Sequence, residues 1–311
     1  MNSKRFSIVV IHRNGYEILS KCISSLVSAM SSDDEIILID NNSEDNSISM
    51  LKSTELYKEI KLIENKHNMG YGQSCNLGMR LGKGKYFLLC NNDINIDRSG
   101  LDKFQELMSN KNVGLIGPQM YSPSGELMNS YGTIPVDLLS QLDLIGRPRR
   151  NKKINSFSQV EILRGACLAV NRKMVEEIGA YDEDFYFYHE ETEWCIRINK
   201  SEKWRVMFAP EVSINHIGGA SSNNVFMESR IEFFRSRMKF WKKVFPFYKR
   251  IIIYLVNFPK LFLDLMFYSV MFLITLGTNS KYKRKTIDRT VVILWLILGM
   301  PKKWGLPNKH Y

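Results

Sequence analysis

The chain has no apolar leader, no closely spaced cysteine pair and no apolar run comfortably long enough to span a bilayer, and each absence narrows its class. Met1–Arg5 is polar and leads straight into a strand-like segment, so the main domain is expected to stay in the cytoplasm rather than be secreted. Cys22, Cys75, Cys90, Cys167 and Cys195 lie far apart without a Cys-x-x-Cys, which reads as reduced, mostly buried small hydrophobes. Gly82-Lys-Gly-Lys85 lacks the spacing of either a P-loop or a dinucleotide fingerprint. Nor is the composition that of a disordered or polytopic protein, with 44% hydrophobic and 24% charged residues.

What is present in excess is positive charge, and it sits at one end. The formal net charge is +11, yet residues 1–230 hold 27 Lys+Arg against 29 Asp+Glu while residues 231–311 hold 16 against 3. That basic block alternates with long apolar runs rather than lone aromatics, which favours an anionic lipid surface and argues against nucleic acid. Leu261–Gly277 carries one charge, Asp264, but its 17 residues stand at the short edge of the roughly 17–25 that span a bilayer, and Val291–Gly299 is shorter. Flanked by Lys242, Lys243, Lys249, Arg250 and Lys281–Lys285, they read as helices lying in or dipping into a membrane interface. The alternative is core helices packed on the catalytic domain or on a second subunit of a homodimer. At 311 residues there is room for a catalytic domain, 1–230, and a helical appendage, 231–311.

The first part alternates strands with helices. Phe6–Ile11 is a short β-branched run closed by His12, Arg13, Asn14 and Gly15, and Leu19, Cys22, Ile23, Leu26, Val27 and Met30 follow at helical spacing. Strands over Glu35–Ile39, Ile60–Ile63 and Tyr86–Leu89 and a helix over Tyr71–Leu81 continue the rhythm, which implies an α/β fold with a mostly parallel sheet and helices on both faces. From Gly117 to Gln159 the pattern loosens into a long loop region, either a mobile acceptor-side loop or a solvated insertion. Order returns with a strand over Val160–Val170, helices over Lys173–Ile178 and Glu190–Lys200, and a last short strand at Trp204–Phe208.

Polar clusters fall where such sheets bind ligands, at the carboxyl ends of strands. Asp40, in DNNS, is either an acceptor for a nucleobase or ribose hydroxyl or a turn cap. Asn91-Asn92-Asp93 is either a turn or a set of oxygen ligands for the divalent cation that a departing diphosphate requires. Glu190 and Glu191 open a helix, a stabilising position for carboxylates, but a like-charged pair beside Phe185, Tyr186, Phe187 and Tyr188 also suits a poised general base among aromatics that fit sugar faces. His216, in NHIGG, is by itself as compatible with structure as with ligation.

Taken in order, SIVVIHRNG, IILIDNNSEDNS, NKHNMGYGQSCNLGM, KYFLLCNND, RGACLAVNRKMVEEIGAYDEDFYFYHEETEWCIR and HIGG resemble glycosyltransferase family 2, the inverting transferases of GT-A fold, and among them the rhamnosyltransferase-like members. The resemblance covers most of residues 6–220. It implies that Ile11, Arg13 and Asp40 hold the base and ribose, with Gly70, Asn76, Asn91 and Asn92 near the donor. It implies that Asp93, the last residue of the family's D-x-D, binds Mg2+ or Mn2+ with His216 completing the site, and that Glu191, paired with Glu190, is the base. Asn91 stands where the motif commonly has Asp, and Glu191 where the base is more often Asp. The function so implied is transfer of a sugar, rhamnose from dTDP-rhamnose first, to a saccharide or lipid-linked acceptor in cell-surface polysaccharide synthesis, by an enzyme peripheral or monotopic at the inner face of the membrane. A UDP-sugar donor of hexose or galactofuranose is the alternative within the family. A non-catalytic scaffold is the alternative outside it, against which the retained Asp40, Asp93, Glu190 and Glu191 argue.

Overall fold

The computed structural model describes residues 4–134, 153–218 and 225–306. β1 (Lys4–His12) and β2 (Glu35–Asp40) are almost wholly buried, because helices cover both faces and a strand so enclosed must be apolar throughout. With β3 (Ile60–Glu64) and β4 (Gly84–Asn91) they form four parallel strands in the order β3–β2–β1–β4. α1 (Tyr16–Ala29), α2 (Ser47–Lys52) and α3 (Tyr71–Leu81) connect them. α1 buries Leu19, Cys22, Ile23, Leu26 and Ala29, the stripe that the spacing requires. α3 lies so close to β1 that a Cβ on Gly78 would come within 2.2 Å of Val9 Cγ1, so a larger residue there would separate helix from sheet.

Beyond β4 the sheet becomes mixed. β5 (Ile94–Asn95), α4 (Arg98–Met108), β6 (Val113–Tyr121), β7 (Tyr131–Gly132), β8 (Ser158–Gln159), β9 (Ile162–Leu163), β10 (Cys167–Asn171), α5 (Arg172–Ile178), α6 (Glu190–Lys200) and β11 (Arg205–His216) follow. β10 is antiparallel to both β4 and β6, and β11 is parallel to β6. The carboxyl ends of β1, β2, β4, β6 and β11 therefore share one edge with the start of β10. One core, containing Leu19, Leu26 and Phe104, lies on one face, and a second, containing Tyr71, Met79 and Trp194, lies on the other.

Several expected boundaries shift. The single strand expected over Val160–Val170 is two, because Arg164-Gly165-Ala166 turns the chain from the small β7–β9 sheet into the main one. The loop expected from Gly117 begins only after Tyr121, since β6 runs through Gly117 and Pro118. The short strand expected at Trp204–Phe208 is twelve residues long, and its register against β6 shifts between Ala209 and Ser213, where Pro210 has no N–H to give the ladder. α4 had no counterpart in the sequence reading; Asp97 caps it by accepting from Gly100 N at 2.8 Å. Residues 135–152 of the expected loop lie outside the described residues. All five cysteines are buried free thiols.

α7 (Phe226–Val244), α8 (Phe247–Ile274) and α9 (Ser280–Ile297) close the described chain. The expected boundary after residue 230 falls within α7. Ile231, Phe234, Leu261, Val292, Ile293 and Trp295 make a core among the three helices. Asp288 accepts from Arg230 and Arg289, and Arg289 also pairs with Asp264 at 3.1 Å. The apolar segment expected to be too short at Leu261–Gly277 belongs to a 28-residue helix that starts at Phe247 and passes through Pro259, and by length and composition this helix could cross a membrane. Little of it is buried within the protein: Leu255, Leu263, Met266 and Leu273 are each 65–70% exposed.

Candidate active site at the strand tips

The tips of β1 and β4 are tied by a residue the sequence reading left unassigned. His12 is fully buried, and Asn92 Nδ2 lies 2.9 Å from its Nδ1 while Ser47 Oγ lies 2.9 Å from its Nε2. An amide nitrogen only donates, so Nδ1 accepts and the ring proton sits on Nε2, given to Ser47, whose hydroxyl passes on to Asp45. Burial holds the imidazole down to about 4 against a smaller upward pull from Asp45, so the ring stays neutral. It thereby orients Asn92, next to Asp93. The polar run after β1 gave only the sign of a strand end, which hides a buried histidine.

Asp93, Asn91 and His216 come together. Asp93 Oδ2 accepts from Gly218 N at 3.1 Å, and His216 Nε2 lies 3.2 Å from Asp93 Oδ1 and 3.5 Å from the Asn91 amide nitrogen. Asp93 Oδ1 and His216 Nδ1 are buried and make no hydrogen bond, and a buried acceptor left unmade is costly unless something else occupies it. A carboxylate, an imidazole and an amide are the donor set that Mg2+ or Mn2+ accepts. Among the described residues no group of three His, Cys, Asp or Glu gathers, so remaining ligands would have to be water or substrate oxygens, as Mg2+ sites commonly use.

At the tip of β2, Asp40 is buried and accepts from both the backbone and hydroxyl of Ser43. Burial nonetheless raises its carboxyl above the ordinary range, outweighing those hydrogen bonds, with Glu64 and Asp45 adding to the rise. Arg13 lies 3.5 Å from Glu44 through Nη2, while its Nη1 is buried without a partner, a donor free for an anionic ligand. The Ile11 side chain belongs to the core beside Ile39 and Tyr71. Neighbouring Asn41 is a hub, accepting from Asn65, Met69 N and Ser74 and donating to Gly70 O at 3.1 Å.

Gly70 and Asn76 lie near the site as braces. A Cβ on Gly70, whose φ is +80°, would meet Tyr186 O at 2.1 Å, so glycine is needed for the segment before α6 to lie on it. Asn76 spends its amide on Tyr181 N, Tyr181 O and Glu183, all around 3 Å, which pins that same segment. Tyr71 joins the two halves: its N–H donates to Tyr186 O at 3.0 Å and its hydroxyl to Gly165 O at 2.8 Å. Of the aromatics expected to wall a sugar pocket, Phe185 and Tyr186 are buried core residues, and only Phe187 and Tyr188 are half-buried.

Glu190 and Glu191 sit at the N-terminus of α6 in unlike surroundings. Glu190 is buried with Oε2 unpartnered, and burial together with its neighbour Glu191 drives its carboxyl well above the usual range. Glu191 is half-buried beside Gly165, where a Cβ would lie 3.6 Å from its own. Burial raises it too, but Arg164 opposes the rise, so the pair divides into a carboxyl that holds its proton and one nearer to losing it. Ala166 O accepts from Asn91 N at 2.9 Å, so the turn that faces Glu191 is bonded to the tip that carries Asp93. Arg164 and Tyr71 were missed as site residues; each lies within a matching segment, but neither residue type at its position signals chemistry.

The comparisons with known proteins bear on the family and the fold. The family described as Glycosyl transferase family 2 matches residues 7–179. A low-salt glycan biosynthesis hexosyltransferase of Haloferax volcanii, Agl10, is 25% identical over 198 residues, 62% of this chain and 61% of that protein. An N-acetylglucosaminyl-diphospho-decaprenol L-rhamnosyltransferase of Mycobacterium tuberculosis is 23% identical over 221 residues, 64% of this chain and 71% of its own. The chain thus spans under two thirds of the first relative's length. Among solved structures, a Pyrobaculum calidifontis mannosyltransferase in complex with GDP-Man and Mn2+ has a TM-score of 0.56 at 14% identity, covering 97% of this chain and 88% of its own, which shows a common fold.

Proposed function

Because the chain belongs to glycosyl transferase family 2, we propose that it is an inverting, metal-assisted transferase whose base is Glu191 and whose donor lies along the tips of β1, β2 and β4. The observation that carries this reading is the bond between Ala166 O and Asn91 N, which holds the turn facing Glu191 against the tip bearing Asp93. Arg13 and Asp40 would hold the nucleoside, the first through its free donor and the second as acceptor. Asp93, His216 and Asn91 would hold a divalent cation, which supplies the charge neutralisation that a departing diphosphate needs. Glu191 takes the proton of an acceptor hydroxyl. The oxygen then forms a bond to the anomeric carbon as the carbon–oxygen bond to the diphosphate breaks, a single displacement that inverts the centre.

The donor we put first is dTDP-rhamnose, with a UDP-linked hexose or galactofuranose as the second reading, and the acceptor is a saccharide or a lipid-linked saccharide. The relatives' names support a hexosyl or rhamnosyl group. The exposed apolar face of α8 and the surplus of cations after residue 230 support a position at the cytoplasmic face of an anionic membrane. Incubation of the full chain with Mn2+, a panel of dTDP-, UDP- and GDP-sugars and saccharide acceptors, followed by NMR of the product anomer, tests the reaction. Product of inverted configuration is expected, and a retained anomer would remove Glu191 as the base in one displacement. Co-sedimentation with vesicles containing anionic lipid tests the membrane position; a protein left wholly in the supernatant at low salt would overturn it.

A further inference from the structure

Two residues immediately before the glutamate pair have a backbone that non-glycine residues rarely adopt. Tyr188 and His189 have φ of 70° and 68°, and His189 is the N-cap of α6, its carbonyl accepting from Glu193 N at 2.9 Å. Such conformations persist where the surroundings impose them, and they gather at functional sites. Here the surroundings are α7. Ser236 Oγ donates to Phe187 O at 2.7 Å, Lys239 Nζ to Asp184 O at 2.6 Å, and Lys243 pairs with both Asp182 and Asp184 at 2.6 Å. The His189 ring is stacked on Phe240 with centroids 5.3 Å apart and lies 5.1 Å from Phe233, while Tyr188 meets Phe233 edge-on at 5.6 Å.

Resting on the family 2 reading of the site, we propose that His189 is a positioning residue: its ring, held by Phe233 and Phe240, fixes the turn that aims Glu191, so that α7 is part of the active site. The imidazole serves here as a flat ring. Its Nε2 is buried with no hydrogen-bond partner, and burial, with Arg237 and Arg164 adding to it, lowers the group to about 3, so it is neutral at working pH. What the position demands is thus an aromatic face, at a backbone angle that would by itself favour glycine.

That conflict supplies the test. In the full chain, His189→Phe keeps an aromatic ring and gives up the two ring nitrogens, of which the buried Nε2 bonds nothing, whereas His189→Gly relieves the backbone and removes the ring. If the clamp aims the base, His189→Phe retains kcat within about threefold, while His189→Gly loses at least about tenfold in kcat with the KM for donor unchanged, both variants remaining folded by circular dichroism. If only the backbone angle matters, the order reverses, and a fully active His189→Gly overturns the proposal. Hydrogen exchange across residues 190–193 reads the same clamp without turnover: retained protection in His189→Phe and lost protection in His189→Gly supports it, and equal protection in the two overturns it. Wild-type protein that transfers from no donor in the panel would instead defeat the reading of the reaction, leaving the exchange result to decide the clamp.

Discussion

Two carboxylates of the candidate site, Asp93 and Glu190, and those of the last three helices are treated in opposite ways. After residue 230 there are three acids, Glu232, Asp264 and Asp288, and each is tied to arginine: Glu232 to Arg235, Asp264 to Arg289, and Asp288 to Arg230 and Arg289. At the candidate site, Asp93 after β4 and Glu190 at the start of α6 each keep a buried oxygen with no hydrogen bond. The pairs of Asp264 and Asp288 join different helices, Arg289 to Asp264 and Arg230 to Asp288, while that of Glu232 with Arg235 lies within α7. Unsatisfied carboxylates cost stability, and such a cost persists where a ligand relieves it or chemistry uses it.

The sharpest way to break this contrast is to remove the base. Glu191→Gln is expected to lower kcat by about 10²–10⁴, the usual contribution of a general base, in initial-rate measurements of transfer. An unchanged rate would show that the half-buried member of the pair is idle. Next in size, removing the cation with a chelator, or Asp93→Asn, is expected to lower transfer at least about 10²-fold, with Mn2+ or Mg2+ restoring the chelated wild type but not the variant. On the architectural side, Asp288→Asn should lower stability by about 2 kcal/mol, because a charged acceptor shared by two arginines is lost. Thermal unfolding reads this, and an unchanged Tm would place that network with the exposed pairs that contribute little.

Smaller effects concern protons. As the proposed base, Glu191 would work ionised, and its carboxyl is raised by burial, so the transfer rate should climb with pH through a midpoint above the ordinary carboxylate range. Arg164→Met should move that midpoint upward, since the cation that favours ionisation is gone; a midpoint that stays put would remove Arg164 from the base's surroundings. Glu190 is raised further, so the folded state holds a proton that the unfolded chain releases above about pH 4.3, and stability falls as pH climbs from there towards the folded value. Glu190→Gln has no such proton. Its Tm should exceed that of the wild type by an amount that grows with pH and vanishes in acid.

The parallel half of the fold was legible in the sequence because β1, β2 and α1 bury regular apolar patterns with nothing in conflict. Reading failed where one residue served two demands. Pro118 and Pro210 sit inside strands that tolerate them only through a shifted register, and Gly165 interrupts an apolar run that otherwise looks like one strand. At the candidate site, Asp40, Asp93 and Glu191 could be singled out as carboxylates after strands or at a helix start, but each also suited a turn or a cap, and the resemblance supplied the roles. His12, Tyr71 and Arg164 meet neighbours distant in sequence, 35 to 94 residues away for the side-chain hydrogen bonds of the first two, and no local pattern carries such a pairing. The same holds for α7, whose contacts with residues 182–189 span about fifty positions and disguise part of the site as an appendage.

Pro259 gives α8 a direction. Without an N–H it leaves the carbonyl of Leu255, four residues back on an exposed stretch, outside the helical ladder, and hydrocarbon offers such an oxygen nothing. At the membrane surface proposed above, the helix would be graded in depth: the turn around Leu255 would stay at the level of water and headgroups, and the fifteen residues from Lys260 to Ile274, roughly 22 Å of helix, would be what remains to sink below it. That is more than the roughly 15 Å of one leaflet but less than the roughly 30 Å of a hydrocarbon core, so an untilted segment would pass the midplane and stop short of the far side.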